Sequence, residues 1–235
     1  MLRKHMKKSS RFIQSDQNEI HPSLFSNLER VVSSDFKKPV PNEVTIFLQE
    51  IELKIQKLKL KGLILDACCG VGLSAYKLAE KYDDYLVLGI DKSTDRIERK
   101  NFFKKSMPSN CVLARFSIID IWISLSKKNT INVYKQYLLY PNPYPKKKHL
   151  KLRWYGMPAI KFLFESSTRL EVRSNWKQYL QDFILVAEKF LFEGEIRKLN
   201  INDSQDCLTL FEKKYFESGH ELYTLILTRE PRPSS

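Results

Sequence analysis

Two acids and two glycines form the first group of residues whose spacing could do chemistry. They lie in Asp66-Ala-Cys-Cys-Gly70-Val-Gly72-Leu-Ser, with a second acid, Asp91, 21 residues after Gly70. Glycines at the mouth of a strand let the backbone approach a ligand closely. An acid at the tip of the following strand can accept hydrogen bonds from both hydroxyls of a ribose. The pattern therefore describes a nucleotide-type site. NAD-binding sheets share it, and a tight structural turn without a ligand is the plainer alternative.

The second group is Tyr140-Pro-Asn-Pro-Tyr-Pro-Lys-Lys-Lys-His-Leu-Lys-Leu-Arg-Trp154. Three prolines in five residues stiffen the chain into an extended path with few backbone donors. Such a segment can hold Asn142 in one place. Five cations follow within residues 146–153, beside His149 and Trp154. Cations neutralise phosphates and aromatic rings stack on bases. A solvated charge run is the usual alternative, but position argues against it, because the run follows a predicted strand directly.

These groups need a scaffold, and the hydrophobic pattern supplies one. The pattern predicts strands at 62–67, a short apolar run, and at 85–91, 110–116, 133–141, 169–175, 195–201 and 221–229. Helical spacing falls between them, at 73–82, 93–105, 118–125, 157–164 and 176–190, and another helix starts near 42 with Asn42 as its cap. Strands alternating with helices predict an α/β fold around a seven-stranded, mostly parallel sheet. Ligands of such sheets bind beyond the carboxyl ends of the strands. Both groups fall there. Trp122 and Trp176 read as packing residues, His220 as a turn residue and 231–235 as a loose end.

Composition bounds the partners. The 235 residues carry a formal net charge of +13, with 43% hydrophobic residues. Such an excess favours a polyanion, either nucleic acid or an anionic membrane face. No run of 18 apolar residues and no signal peptide is visible, so a membrane span is not expected. Cys68, Cys69, Cys111 and Cys207 contain no CxxC pair, so no metal site is expected and a reducing, cytoplasmic setting fits. Residues 1–40 hold eight Lys/Arg and four Asp/Glu and end at Pro39 and Pro41. They read as a basic extension, mobile, laid on the surface or ordering on nucleic acid, ahead of one domain at 41–235.

The cofactor loop resembles the class I methyltransferase motif D-x-G-x-G-x-G, with Cys68 where the first glycine is usual. Asp66, ending the first strand, stands where the ammonium of S-adenosyl-L-methionine would sit. PNPYPKKKH resembles the PDPWPK-x-x-H motif of the bacterial tRNA (guanine-N7)-methyltransferases. LEVRSNWKQY at 170–179 resembles that family's TD-x-x-x-Y junction, and TLFE at 209–212 its T-x-Y/F-E substrate loop. The likeness extends over about residues 40–229. It implies a Rossmann-like, doubly wound sheet with the last strand antiparallel. It also implies S-adenosyl-L-methionine as cofactor, tRNA as partner and transfer to N7 of a variable-loop guanine, position 46 in the family.

Carried over residue by residue, the resemblance places Asp66, Gly70, Gly72, Asp91 and Ser117 around the cofactor, with Asp120 able to share the role of Ser117. It places Asn142, Lys146, His149, Asn175, Thr209 and Glu212 around the base, with Asn142 also at the reacting centre. The family carries acids where this chain has Ser117, Asn142 and Asn175. Guanine N7 exposes a lone pair, so no general base is needed and placement dominates. The replaced acids leave open a methyltransferase on another RNA base, a protein or a small molecule, or a non-catalytic RNA-binding relative. Monomer and homodimer are both compatible with the sequence.

Overall fold

The computed structural model describes residues 9–99, 106–127 and 130–230. Strands β1 (Leu63–Ala67) and β2 (Leu86–Asp91) are buried along their whole length, as apolar runs in the middle of a sheet should be. They are joined by β3 (Cys111–Arg115), β4 (Val133–Leu139), β5 (Arg169–Ser174), β6 (Glu193–Lys198) and β7 (Tyr223–Thr228) in one seven-stranded sheet, ordered β3-β2-β1-β4-β5-β7-β6. Only β7 runs against the others, pairing antiparallel with β5 and β6. This is the α/β, mostly parallel sheet that the alternation predicts. The chain moves outward from β1 through β2 to β3, then returns to β4 on the other side of β1. That reversal opens a crevice at the carboxyl ends of β1 and β4.

Alternate residues of the central strands face opposite layers. Leu63, Leu65 and Ala67 pack into one core with helices α1 (Leu24–Ser33), α2 (Asn42–Lys57), α5 (Ile118–Lys127), α6 (Ile160–Glu165) and α7 (Lys177–Glu188). Ile64 packs into the other, against Ala75 and Leu78 of α3 (Leu73–Lys81). Helices on both faces make the sheet doubly wound. Two short helices complete the set, α4 (Thr94–Ile97) and α8 (Leu210–Glu217).

The structure corrects several expectations. Asn42 is the first helical residue of α2, and Pro41 precedes it without a side-chain cap, as a residue that lacks an N–H to satisfy there. The helix expected over 93–105 is the single turn α4, with 100–105 outside the described residues. Pro158 delays the helix expected from 157 until Ile160. The N-terminal extension contains α1, whose Leu24, Leu28 and Val31 are buried at helical spacing, so over 21–40 it is laid on the core. Residues 1–8 and the loose end expected at 231–235 lie outside the described residues. Among the described residues no helix is long and apolar enough to cross a membrane.

Candidate active site

The loop after β1 is built from left-handed residues. Cys68 (φ 62°), Gly70 (φ 62°) and Gly72 (φ 85°) turn the chain sharply into α3. Cys68 thus takes the angle that a glycine would take at its place, at a cost of about 1–2 kcal/mol for a residue with a Cβ. At Gly72 a Cβ would lie 2.4 Å from the side chain of Leu113, whereas the space over Gly70 is open. Gly72→Ala is expected to destabilise the fold by about 1–3 kcal/mol, through backbone strain and displacement of Leu113. A fall in melting temperature checks this.

Asp91 ties the loop to β2. Its Oδ2 accepts the Gly70 N–H at 3.0 Å and its Oδ1 accepts the Ser93 N–H at 2.9 Å, with Arg96 at 3.4 Å from Oδ2. Asp66 is buried. Its Oδ2 accepts the Ser74 hydroxyl at 2.5 Å, and its Oδ1 has no hydrogen-bond partner. Burial pushes its carboxyl up to about 7, against the lowering effect of the bonds from Ser74 and the Ala75 N–H. An orphaned buried carboxylate oxygen beside a loop with open space over Gly70 fits a cationic, nucleoside-bearing ligand.

Ser117 precedes α5 and Asp120 lies in its first turn, where the Ser117 carbonyl accepts the Asp120 N–H at 3.1 Å. Asp120 is buried and paired with Lys38 at 2.5 Å. The extension therefore reaches the start of α5, a contact between residues 82 apart that no local pattern announces.

On the other side of the crevice, the proline-rich segment leaves β4 through Tyr140, which is left-handed at φ 51°. The Tyr140 N–H donates to the Arg173 carbonyl at 2.9 Å. The Tyr140 hydroxyl donates to Glu212 at 2.8 Å. Burial, then the Glu212 carboxylate, holds that phenol far above its usual range, so it stays a donor. Asn142 is exposed, and its oxygen accepts the Tyr144 N–H at 3.3 Å. Asn175 lies just past the end of β5, and its amide meets Nδ1 of His220 at 3.1 Å. The two asparagines thus stand at the ends of adjacent strands, each held by a different partner.

Glu212 is fully buried. Besides Tyr140 it binds Arg173 at 2.9 Å and accepts the Leu208 N–H at 2.5 Å. Thr209 caps α8, its hydroxyl accepting the Glu212 N–H at 2.9 Å. Lys77 of α3 binds the carbonyls of Gln205 and Cys207, which ties this stretch to the helix that follows the glycine loop. TLFE is therefore the start of a helix, and its acid anchors the segment that carries Asn142.

The cation run divides in two. Lys146, Lys147, Lys148 and Lys151 are exposed, but Arg153 is fully buried. Its guanidinium donates to Gln17 at 2.7 Å, the Tyr155 hydroxyl at 2.8 Å and the Tyr144 carbonyl at 3.1 Å, and lies 3.4 Å from Asp182 and from the Lys146 carbonyl. Arg153 is a clasp, with no face left for a phosphate. His149 is half-buried with its ring edge-on to Tyr144, and the Lys146 carbonyl accepts the His149 backbone N–H. Trp122 is core, donating to Gln136 at 2.9 Å, and Trp176 lies under Arg153 at 4.9 Å.

A sheet of this order with a glycine loop and an acid at the next strand tip defines a nucleotide-cofactor enzyme of the methyltransferase class. Residues 60–225 match the family described as putative methyltransferase, and the chain belongs to that family. A tRNA (guanine-N(7)-)-methyltransferase of Mycoplasma genitalium is 28% identical over 192 residues, which cover 75% of this chain and 88% of the relative. One of Aquifex aeolicus is 29% identical over 184 residues, covering 75% of this chain and 59% of that longer relative. The fold is shared with the solved structure of an antibiotic related methyltransferase, at 14% identity and a TM-score of 0.57 over 76% of this chain and 94% of that one. It is shared equally with a variant of the 16S rRNA (adenine(1408)-N(1))-methyltransferase of Catenulisporales acidiphilia, at 13% identity and a TM-score of 0.55 over 79% and 93%.

Proposed function

We propose that this protein transfers the methyl group of S-adenosyl-L-methionine to N7 of a guanine in tRNA, in the variable loop. The observation that carries the reading is the proline-rich segment with Asn142, clasped at the carboxyl end of β4 next to the loop of β1, with four exposed lysines behind it. The two tRNA (guanine-N(7)-)-methyltransferases it resembles agree with it. Free thiols at all four cysteines suit a reducing cytoplasm.

The cofactor supplies a methyl group on a sulfonium, an electrophile that needs no metal or base. Asp66 would hold its ammonium, Asp91 would take the ribose hydroxyls, and Gly70 and Gly72 would let the backbone close on it. Asn142 and Asn175 mark the place of the base, and Lys146 with its neighbours takes the flanking phosphates. The N7 lone pair is already free, so the chain's task is to hold the base in line and dry. A positive charge grows on the base as it is methylated. Asparagine oxygens stabilise that charge less than carboxylates would, because charge-assisted hydrogen bonds are roughly twice as strong as neutral ones. Asn142→Asp is therefore expected to raise the rate.

Labelled S-adenosyl-L-methionine and unmodified tRNA test the proposal, with borohydride–aniline cleavage to map the product. Cleavage at a variable-loop guanine is expected. Label in another base, in protein or in small molecules would redirect the substrate, and no transfer at all would leave an RNA-binding relative.

The Asp66 carboxyl gives a second test. Between 3.8 and about 7 the folded chain holds a proton there that the unfolded chain lacks, so this group's contribution to stability falls as pH rises through that window. A bound ammonium favours the ionised form and reverses the trend for binding. Affinity for the cofactor is expected to rise by up to about tenfold per pH unit below 7 and to level off above it. Calorimetric titration from pH 5.5 to 8.5 measures this, and Asp66→Asn should flatten the profile.

A further inference from the structure

A row of rings lies at the same edge of the sheet, running outward from Tyr140 and His220. Ser174 at the end of β5 is opposite Tyr223 at the start of β7, so the residues just before β7 stand beside Asn175. His220 is one of them. Its ring stacks on Phe12 of the extension, with centroids 4.2 Å apart and planes 10° from parallel. Tyr215 follows at 5.2 Å from His220, and Tyr215 in turn contacts Tyr140 at 5.6 Å and Phe211 at 6.3 Å.

The outer ring is not covered. Phe12 is 65% exposed, although it is flanked by residues that are firmly placed. The Ser10 carbonyl accepts from Nε2 of His220 at 3.2 Å, and the Ser10 N–H donates to the Ser218 hydroxyl at 2.8 Å. With Nδ1 accepting from Asn175, the imidazole is spanned between the base site and the extension. Ser15 and Asp16 continue the attachment, bonding the Pro145 carbonyl at 2.6 Å and the Lys147 N–H at 2.9 Å. An exposed phenyl ring costs free energy in water. Here the bonds at Ser10 and Ser15 hold the segment against the sheet edge, with the ring lying flat on His220. The bonds of Ser15 and Asp16 join the extension to the lysine run, whose Lys146, Lys147 and Lys148 are exposed, as is Arg11 next to Phe12 in sequence.

We propose that Phe12, backed by His220, is a stacking platform for an unpaired nucleobase next to the target guanine. This rests on the tRNA reading above. An exposed flat ring on a segment bonded to a run of exposed lysines suits an unstacked base joined to phosphates, since every base offers a π-face and the backbone offers the charge. A purely apolar protein partner would gain nothing from those lysines. The extension then contributes to the substrate site directly, and the base site is incomplete without residues 10–17.

The test is binding of a fluorescein-labelled single-stranded RNA decamer, and of a duplex RNA of equal length, followed by anisotropy without cofactor. Phe12→Ala should weaken binding of the single strand by about fivefold to a hundredfold, the range for loss of one base–aromatic stack. Duplex binding and the melting temperature should stay unchanged. Phe12→Trp should restore binding and Phe12→Leu should not. If Phe12→Leu binds like the parent, the ring is mere apolar cover and the proposal falls. It also falls if Phe12→Ala leaves single-strand binding intact or weakens duplex binding equally. Should tRNA methylation be absent while the Phe12 dependence holds, the platform stands and the guanine-N7 reading fails.

Discussion

Arg153→Ala is expected to cost about 3–5 kcal/mol of folding stability, because it strips the partner from a buried carboxylate. Arg153 and Asp182 are both fully buried, and Asp182 also accepts from Gln17 at 2.8 Å, Tyr155 at 2.9 Å and Gln178 at 3.1 Å. Those neutral donors do not replace a guanidinium. The loss reaches three segments at once. Arg153 bonds the Tyr144 carbonyl of the proline-rich loop, Gln17 of the extension and, through Asp182, helix α7. Denaturant melts measure the stability term. Limited proteolysis separates the segments, and cleavage should appear first near residues 140–150 and 10–20. Arg153→Lys should recover only part of the loss, since an ammonium lacks the fork that spans carbonyl, amide and carboxylate. Arg153→Met with Asp182→Leu should be milder than Arg153→Ala alone, because a pair replaced by apolar groups leaves no stranded charge. A single replacement as mild as the double one would mean that water already reaches Asp182.

That clasp also shows where a linear reading stops. The central strands are visible as apolar runs because they are buried on both faces, β1 and β2 throughout, whereas β6 at the sheet edge is charged and mostly exposed. The cofactor group is visible because its members are local, within one strand–loop–helix unit and the tip of the next strand. Arg153 reads as one more cation in a basic run, since its burial depends on Asp182 and Gln17, 29 and 136 residues away. Helix α1 is hidden for a related reason. Leu24, Leu28 and Val31 have helical spacing, but they lie among polar residues in a segment whose charge suggests solvent. Thr209 and Glu212 are recognisable as a motif, yet the hydrogen bond from the Glu212 N–H to Thr209 makes them a helix cap, a role set by packing against Tyr140 and Arg173. Sequence resemblance supplies residue identities. What each side chain holds depends on partners brought in from other strands.

Glu212 gives the sharpest test of that distinction, because an anchor and a direct reader of the base differ in how their loss combines with others. Glu212→Gln is expected to lower kcat/KM by about a hundredfold, equivalent to about 2.7 kcal/mol of transition-state stabilisation. The route runs through Tyr140. Glutamine keeps the shape but not the charge that holds Arg173, and Arg173 is then balanced by Glu171 alone, at 2.7 Å. Burial raises the Glu171 carboxyl, yet Arg173 and Lys135 outweigh it and keep it below the usual range. It is therefore ionised and draws the guanidinium toward itself. Tyr140, left-handed at φ 51°, then loses the bond that fixes its ring, and Asn142 two residues on loses its position. Tyr140→Phe removes the same bond from the other end and should cost about 1 kcal/mol. If Glu212 acts through Tyr140, the two losses overlap, and a double-mutant cycle on kcat/KM should show coupling of about 1 kcal/mol, the value of the shared bond. Additive losses would place Glu212 on the base itself, with its carboxylate turned away from Tyr140 when substrate is bound.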